Sequence, residues 1–469
     1  MRKIKGKGKL LLYGAAGMGI NLLNLIMGSY LCSALIADGF APAAIANQTF
    51  CGINLVVAEV WAVFALAAKI LDGIIDIPMA SLTDRLKSRW GRRRPSLIMG
   101  LIPLIATYLL FLVIPDQSGA TLWNTIYYGV MLCLFYCSYT LVMVTYYATF
   151  TEIVDTVEER NFISNVKSVC DILYFIIGYV VVIMLLKNIN IRTVALISLP
   201  IAATMLIPLF MIKEPSTKDG NFVAEKTVDL FKSLGYTFKN KDFIIWMVVY
   251  SFMTFGVQLF LAGINEYFSV TGMSMILVMA TGFAPVPLTL ILYNKIIKKK
   301  GFKFAYQYVI LIFALSMASL FAISFLENGT LKTLLSVVGG LICSFSVGAL
   351  FAVAYSVPSQ LAAEDEKRTG ISHSAMYFAV QGLFAGVASG IASGVVLTAL
   401  KVNGIVTYLT LISAGGCLLS FIFTYLLPKS VADLGKKKDN EISDNARGET
   451  GDSVTVDSEN GGESADAEE

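Results

Sequence analysis

The chain has 469 residues, of which 56% are hydrophobic and only 15% are charged, and its formal net charge is +3. Soluble domains usually carry about 25% charged residues, so this composition leaves too little polar surface to cover a water-soluble globule. The apolar residues come in runs of about 20 or more, the length that crosses roughly 30 Å of hydrocarbon as a helix. We therefore predict an all-α membrane protein rather than a soluble protein or an outer-membrane barrel.

Twelve transmembrane spans are predicted from these apolar runs, which are separated by polar turns or turns that contain Gly or Pro. The first run is too long for the core of a signal peptide, so it is predicted to remain as the first span. In chain order the predicted spans are 10–37, 56–82, 96–115, 122–152, 163–187, 191–212, 243–270, 273–297, 303–326, 331–361, 372–400 and 404–427.

A long internal polar segment divides the predicted spans six and six. The predicted domains are an N-terminal six-helix bundle (1–212), a cytoplasmic central loop (213–242), a C-terminal six-helix bundle (243–428) and a disordered acidic cytoplasmic tail (429–469). Disorder is expected for the tail because it is rich in Gly, Ser, Asp and Glu and has almost no large apolar residues.

Lys and Arg residues are concentrated in the loops of one parity, which predicts the orientation of the chain. The loop 83–95 contains six of them and the segment 295–303 contains five, whereas 38–55 and 116–121 contain none. Both termini and the central loop are therefore expected in the cytoplasm. The chain is expected to be a multi-pass protein of the plasma membrane, the inner membrane of a cell with two membranes.

The two halves share short patterns at a nearly constant offset. Residues 84–91 (DRLKSRWG) match 294–301 (NKIIKKKG), and residues 160–165 (RNFISN) match 368–373 (RTGISH). Such an internal repeat predicts two six-helix bundles with a binding cavity between them, as in a secondary transporter. With a single histidine and no paired cysteine spacing, neither a histidine-based catalytic site nor a zinc centre is expected.

The sharpest signal lies in the second span, where Asp72 and Asp76 are four residues apart and share one face of a helix. Carboxylates that face lipid are costly, so both are predicted to face the interior of the bundle. Two neighbouring anions repel each other unless a cation lies between them, which predicts a site for Na⁺ or a proton. The alternative is that Lys69 and other basic side chains neutralise the pair structurally.

Other polar residues at membrane depth are candidate solute ligands. Lys167 and Asp171 in the fifth span are four residues apart. They form either a self-contained ion pair or a site in which Lys167 binds an oxygen of the solute. Asn21 and Asn24 in the first span, and Gln381 in the eleventh, either hydrogen-bond between helices or bind hydroxyl pairs of a sugar.

Charged residues at the cytoplasmic ends of the helices predict an inner gate. The gate residues are Asp84, Arg85, Arg92, Arg160 and Arg368. Acidic and basic groups at the ends of neighbouring helices can form contacts that break when the bundles rock. The basic loop that holds the first three also serves to anchor the topology.

Taken together, these residues resemble the glycoside–pentoside–hexuronide:cation symporters, the melibiose permease-like family of the major facilitator superfamily. The residues that carry the resemblance are Tyr13-Gly14, Asp72, Asp76, the segment 83–95, Arg160 and Lys167. The resemblance implies two pseudo-symmetric six-helix bundles and symport coupled to Na⁺, Li⁺ or H⁺ by alternating access. The expected partners are a small solute, the coupling cation and membrane lipid, with no other cofactor and no nucleic acid.

The resemblance also implies roles for individual residues. Asp72, Asp76 and Thr140 match the cation-binding residues of the family. Lys167 falls at the basic residue near the sugar, and Tyr147 falls where an aromatic ring covers the sugar. Most of the residues that bind the coupling cation in the family are therefore expected to be retained in this chain.

Several positions depart from the family pattern. Asn21 and Met143 stand where acidic sugar ligands are found, Gln381 stands where the family has a lysine, and Ile75 replaces an asparagine. These losses argue against a galactoside, and beside Lys167 they favour an anionic solute such as a hexuronide.

Two alternatives to a sugar symporter remain open at this point. A carrier of amphipathic lipids would keep the fold, and Met143 makes the cavity less typical of sugar carriers. A channel or membrane-embedded enzyme is disfavoured, because the sequence has no filter-like repeat, nucleotide-binding loop or nucleophile with its base.

Overall fold

A computed structural model describes residues 3–154, 157–217, 238, 240–369 and 374–432. Within these ranges the regular structure is helical, apart from one isolated β-bridge between Val56 and Thr121. Most of the predicted central loop and nearly all of the predicted acidic tail lie outside the described residues. The domain boundaries drawn in those two segments therefore stay a prediction.

Six long helices form the N-terminal half of the described chain. In chain order they are α1 (Lys7–Leu35), α2 (Ala58–Arg85), α3 (Arg93–Phe111), α4 (Leu122–Glu152), α5 (157–186) and α6 (Ile191–Met211). The loop between α1 and α2 contains a further short helix, Pro42–Gln48.

The C-terminal half contains six helical segments, and a short helix, Lys429–Ala432, follows them. They are α7 (241–271), α8 (Met275–Phe283 with Val286–Lys300), α9 (Phe302–Ser324), α10 (Thr330–Thr369), α11 (374–402) and α12 (Val406–Leu426). The two parts of α8 are bent by 43°. Pro285 and Pro287 lie at this bend, where a proline ring clashes with the preceding turn and lacks an N–H donor.

Ten helices in the described ranges are long and apolar enough to cross a membrane, and the bent α8 makes an eleventh. Helix α2 falls outside this count because Lys69, Asp72 and Asp76 lie in its middle. Its 28 residues extend about 42 Å, so its length is sufficient. With α2 included, a helical segment lies at each of the twelve predicted spans.

The internal repeat has a counterpart in the backbone. Gly91 and Gly301, which the matched segments placed at equivalent positions, have φ angles of 82° and 84° and lie just before α3 and α9. Only glycine adopts this left-handed region without steric cost. Both halves therefore have a glycine with a positive φ at the same point of the repeat.

One contact between the two halves joins α2 and α11, whose backbones come close together where the helices cross. Helix α11 carries Gly382, Gly386, Gly390 and Gly394, each four residues from the next, on the side that faces α2. A Cβ atom at Gly386 would lie only 2.5 Å from the backbone oxygen of Lys69. Small residues at this spacing let two membrane helices bring their backbones together.

A second contact between the halves joins α5 to α8 through aromatic rings. Phe283 of α8 stacks on Phe175 and Tyr179 of α5, with ring centroids 5.5 and 6.0 Å apart.

Three of the helices contain π-helical turns, namely 26–31 in α1, 177–181 in α5 and 391–396 in α11. Such turns often occur at functional sites because they redirect side chains.

Candidate functional site

A cavity of about 260 Å³ lies between the two halves. Residues of α1, α2, α4, α5, α7 and α11 line it, and many of them carry hydrogen-bonding side chains. Those that matter for the argument below are Asn21, Asn24, Ser33, Lys69, Gln258 and Lys401. The predicted central cavity is therefore present, and its size is just below the range of about 300–1,000 Å³ typical of small-molecule sites.

Asp72 lies beside this cavity, half-buried between α2 and α4. Its Oδ1 accepts a hydrogen bond of 3.3 Å from the hydroxyl of Thr140, and its Oδ2 is 3.7 Å from Nζ of Lys69. The same Nζ lies 4.1 Å from the ring centroid of Tyr136. At 3.7 Å the ion pair is longer than a charge-assisted hydrogen bond of about 2.7–2.9 Å. Lys69 therefore contacts Asp72 without locking it.

Asp76 lies one turn further along α2, and its side chain is exposed. Exposed apolar side chains on α2, such as Ile74, mark the surface suited to lipid. Asp76 is two residues from Ile74, which is about 200° around the helix, so the carboxylate lies on the opposite face. No ion pair to a described residue holds it.

A polar chain joins α1, α4 and α5 close to the cavity. The Tyr139 hydroxyl donates to Oδ1 of Asn21 at 3.1 Å, and Nδ2 of Asn21 donates to Asp171 at 3.4 Å. Asp171 is paired with Lys167, whose Nζ lies 2.6 Å from Oδ2. Nζ of Lys167 also lies 5.3 Å from the centroid of the Tyr147 ring. The predicted solute residues Asn21, Lys167 and Tyr147 are thus brought into one neighbourhood.

The remaining predicted solute residues lie in different surroundings. Asn24 lines the cavity, and its Oδ1 is buried with no hydrogen-bond partner among the described residues. Gln381 is buried and accepts a hydrogen bond of 2.9 Å from Nε1 of Trp246. It is outside the set of residues that line the cavity.

The predicted inner gate is only partly described. The side chains of four of its residues lie outside the described part of the structure: Asp84, Arg85, Arg160 and Arg368. Arg92 is described, and its Nε lies 4.0 Å from Oε1 of Glu214, which follows α6. Oε2 of Glu214 also accepts a hydrogen bond of 2.7 Å from the backbone N–H of Arg93. These contacts join segments of the same half, so the gate stays a prediction.

One charged pair at the far end of the cavity was not predicted. Glu266 of α7 and Lys401 of α11 form an ion pair of 2.7 Å, with side chains 0% and 3% exposed. Glu266 lies inside the predicted span 243–270, and an acid within an apolar run is itself a signal of function. Lys401 follows the predicted end of the eleventh span by one residue, a position typical of an ordinary interfacial lysine.

The comparisons with known proteins agree with this architecture. The family model described as "MFS/sugar transport protein" matches residues 12–427. The uncharacterized symporter sll1374 of Synechocystis sp. is 30% identical over 161 residues, which are 34% of this chain and 27% of that protein. The inner membrane symporter YicJ of Escherichia coli is 36% identical over 85 residues, 18% of each chain. The aligned parts therefore span about a quarter and about a fifth of these two relatives.

Similar solved structures are also transporters. A mutant form of the nucleoside transporter NupG has a TM-score of 0.63 and 16% identity, covering 90% of this chain and 100% of that one. A POT family transporter in complex with 5-aminolevulinic acid has a TM-score of 0.61 and 13% identity, covering 91% and 96%. At these identities the likeness shows the fold alone.

The fold, the central cavity and the family match lead to one assignment. The predicted all-α fold of two pseudo-symmetric bundles is confirmed. The matching family model describes a transport protein over residues 12–427, which bears out the prediction of a transporter rather than an enzyme. The chain belongs to the MFS/sugar transport protein family and is a multi-pass secondary transporter of the major facilitator fold.

Proposed function

We propose that this transporter couples entry of a small polar solute, a glycoside or hexuronide, to a cation, Na⁺ or H⁺, by alternating access. The observation that carries the proposal is the place of Lys69. This residue lines the cavity and also contacts the carboxylate of Asp72. The predicted ion site and the solute cavity therefore share one side chain.

The ligands around Asp72 suit a hard cation. Asp72 supplies a carboxylate and Thr140 a hydroxyl, and oxygen groups of this kind are the ligands that hard cations prefer. Asp76, one turn away, supplies a second carboxylate, which is exposed. A proton on either carboxylate would neutralise the same charge, so both coupling ions fit these residues.

Competition for Asp72 gives a physical route to coupling. Without a bound cation, the ammonium group of Lys69 is drawn to the carboxylate of Asp72. A cation at Asp72 neutralises that carboxylate, so Lys69 gains freedom to donate hydrogen bonds into the cavity. Lys69 is then available to donate to solute oxygens only when the ion is bound. Ion binding therefore raises the affinity for the solute, and solute binding raises the affinity for the ion by the same factor.

The lining of the cavity supports a hydroxyl-rich solute. The amides of Asn21, Asn24 and Gln258 can each donate and accept hydrogen bonds, as pairs of sugar hydroxyls require. The buried Oδ1 of Asn24 has no hydrogen-bond partner among the described residues, which is energetically costly. A hydroxyl of the solute that donates to this oxygen would remove that cost. An amphipathic lipid would instead need a long apolar cleft, so these side chains favour the sugar hypothesis.

A binding screen on the purified protein tests the proposal. Glycosides, hexuronides, pentosides and a lysolipid would be titrated calorimetrically with and without Na⁺, at two pH values. We expect one sugar class to bind, and to bind more tightly with Na⁺ or at lower pH. Binding of the lysolipid alone, or of a sugar with no dependence on either ion, would contradict symport of a sugar.

Thr140→Val is expected to weaken binding of the cation without abolishing transport. Loss of one hydroxyl ligand costs on the order of 1.4 kcal/mol, or about a tenfold rise in the cation concentration for half-maximal uptake. The measurement is initial uptake as a function of Na⁺ or H⁺ concentration. Thr145→Val is the matched control, because the Thr145 hydroxyl bonds to the Leu141 carbonyl of its own helix. An equal effect in both variants would argue against Thr140 as a ligand.

A further inference from the structure

A buried ion pair lies at the end of the cavity nearest the loop 36–57, which we call the outer end, following the predicted orientation. Nζ of Lys401 is 2.7 Å from Oε1 of Glu266, and both side chains are buried. Burying two charges carries a large desolvation cost, which the attraction between them does not reliably offset. The pair is therefore weak evidence for stability and invites a functional explanation.

Ser33 connects this ion pair to the opposite half of the protein. Nζ of Lys401 donates to the backbone oxygen of Ser33 at 2.8 Å, and the Ser33 hydroxyl donates to Oε1 of Glu266. Ser33 lies in the last turn of α1 in the N-terminal half, whereas Glu266 and Lys401 lie on α7 and α11 in the C-terminal half. The three residues, which we call the outer cluster, thus tie the two halves together.

The loop that follows α1 covers the outer cluster. Gly39 has a φ of 86°, and a Cβ there would lie 2.9 Å from Cγ of Lys401. The ring centroid of Phe40 lies 4.7 Å from Nζ of Lys401. The backbone N–H of Ala41 donates to the hydroxyl of Ser269 at 3.3 Å. The loop of one half therefore packs directly on charged and polar groups of the other.

Hydrogen bonding in this region is incomplete. Nδ2 of Asn265 donates to the backbone oxygen of Ser29 at 2.9 Å, a further buried bond between the halves. Oδ1 of Asn265 and Oε2 of Glu266 are buried with no partner among the described residues. Unsatisfied buried oxygens raise the free energy of this arrangement, and water would relieve them once the halves separate.

The outer cluster is also the boundary of the cavity. Ser33 and Lys401 both line it, as does Cys32, the neighbour of Ser33. A path that enters the cavity at this end would pass between residues that the cluster now holds together.

We propose that Lys401, held by Glu266 and Ser33, is the outer gate of this transporter, and that outward opening requires its withdrawal from Ser33. The inference rests on the proposed alternating access. Contacts that exist only in the closed state favour that state by their own free energy. Removing them shifts the equilibrium toward the outward-open state, whatever the solute is.

Reaction of Cys32 with a thiol reagent that cannot cross membranes tests the gate. The protein would carry Cys32 as its only cysteine, and the reagent would be added from outside to intact cells that express it. We expect Glu266→Gln with Lys401→Met to raise the labelling rate about tenfold, which corresponds to ~1.4 kcal/mol. The milder Ser33→Ala keeps both charges and should raise the rate about threefold.

Two controls separate gate opening from general loosening. Lys332→Met removes another buried lysine, whose bonds to Ser324, Leu326 and Asn328 stay within the C-terminal half, so labelling of Cys32 should not change. A protein with only Cys51, an exposed cysteine in the covering loop, should label in every variant.

Three results would contradict the proposal that Lys401 is the outer gate. They are a parental labelling rate of Cys32 in the double variant, an equal rise in Lys332→Met, or, if the double variant does not insert, a parental rate in Ser33→Ala. The assay needs neither solute nor coupling ion. Absence of ion coupling in the uptake experiments would therefore contradict the proposed function without deciding the gate.

Discussion

In proteoliposomes, Asp72→Asn is expected to reduce ion-driven accumulation of the solute to the level of vesicles without protein. Asparagine has nearly the shape of aspartate but no negative charge, so it cannot take up a proton and it attracts Na⁺ much less strongly. Accumulation requires that the ion gradient and the solute share one binding equilibrium. Asp76→Asn should give the same result, because the second carboxylate completes the site. The measurement is uptake of the solute found in the binding screen, with and without an imposed gradient.

Exchange of solute across the same vesicles gives the internal control. Exchange needs solute binding and rocking of the halves but no net movement of charge, so Asp72→Asn should retain it. Asp116→Asn makes the same chemical change in an exposed loop, where the carboxylate accepts a hydrogen bond from the backbone of Ser118, and should accumulate solute normally. Full accumulation by Asp72→Asn would refute the assignment of this residue to the coupling ion.

The spans could be predicted because the information for them is local in the sequence. Apolar runs of sufficient length and their polar interruptions specify helices one at a time. The predicted spans 56–82 and 331–361 correspond to helices Ala58–Arg85 and Thr330–Thr369. The second continues eight residues beyond its predicted end, because polar residues at a membrane surface need not end a helix. Breaks within helices, such as 26–31, leave no comparable signal in composition.

Contacts between distant helices could be predicted only where a resemblance supplied them. The proximity of Thr140 to Asp72 was implied by the family, and the structure shows the hydrogen bond. Gln381 was a candidate solute ligand, and its partner Trp246 is 135 residues away, so spacing alone could not reveal it. Glu266 and Lys401 are separated by the same distance in sequence. Their pairing depends on how α7 and α11 pack, which single-helix patterns do not encode.

Gly386→Val is expected to abolish transport and to lower thermal stability. A Cβ at Gly386 would lie 2.5 Å from the backbone oxygen of Lys69 and 3.5 Å from Cα of Gly73, so the two helices must move apart. Overpacking of this kind costs about 1–3 kcal/mol. The separation also displaces Lys69, the residue that borders both the cavity and Asp72, so activity should fall further than stability. Uptake and the unfolding temperature in detergent would be measured on the same preparation.

Gly415→Val is the matched control, since it adds the same side chain to a membrane helix, α12, at a position with nothing within 4 Å of the new Cβ. It should insert, unfold and transport as the parent does. Gly73→Val tests the same crossing from α2, because a Cβ there would meet the backbone oxygen of Gly382 at 2.4 Å. If both variants at the crossing transport normally, α2 and α11 do not depend on backbone contact at these positions. The crossing of α2 and α11 would then not be what holds Lys69 between the cavity and Asp72.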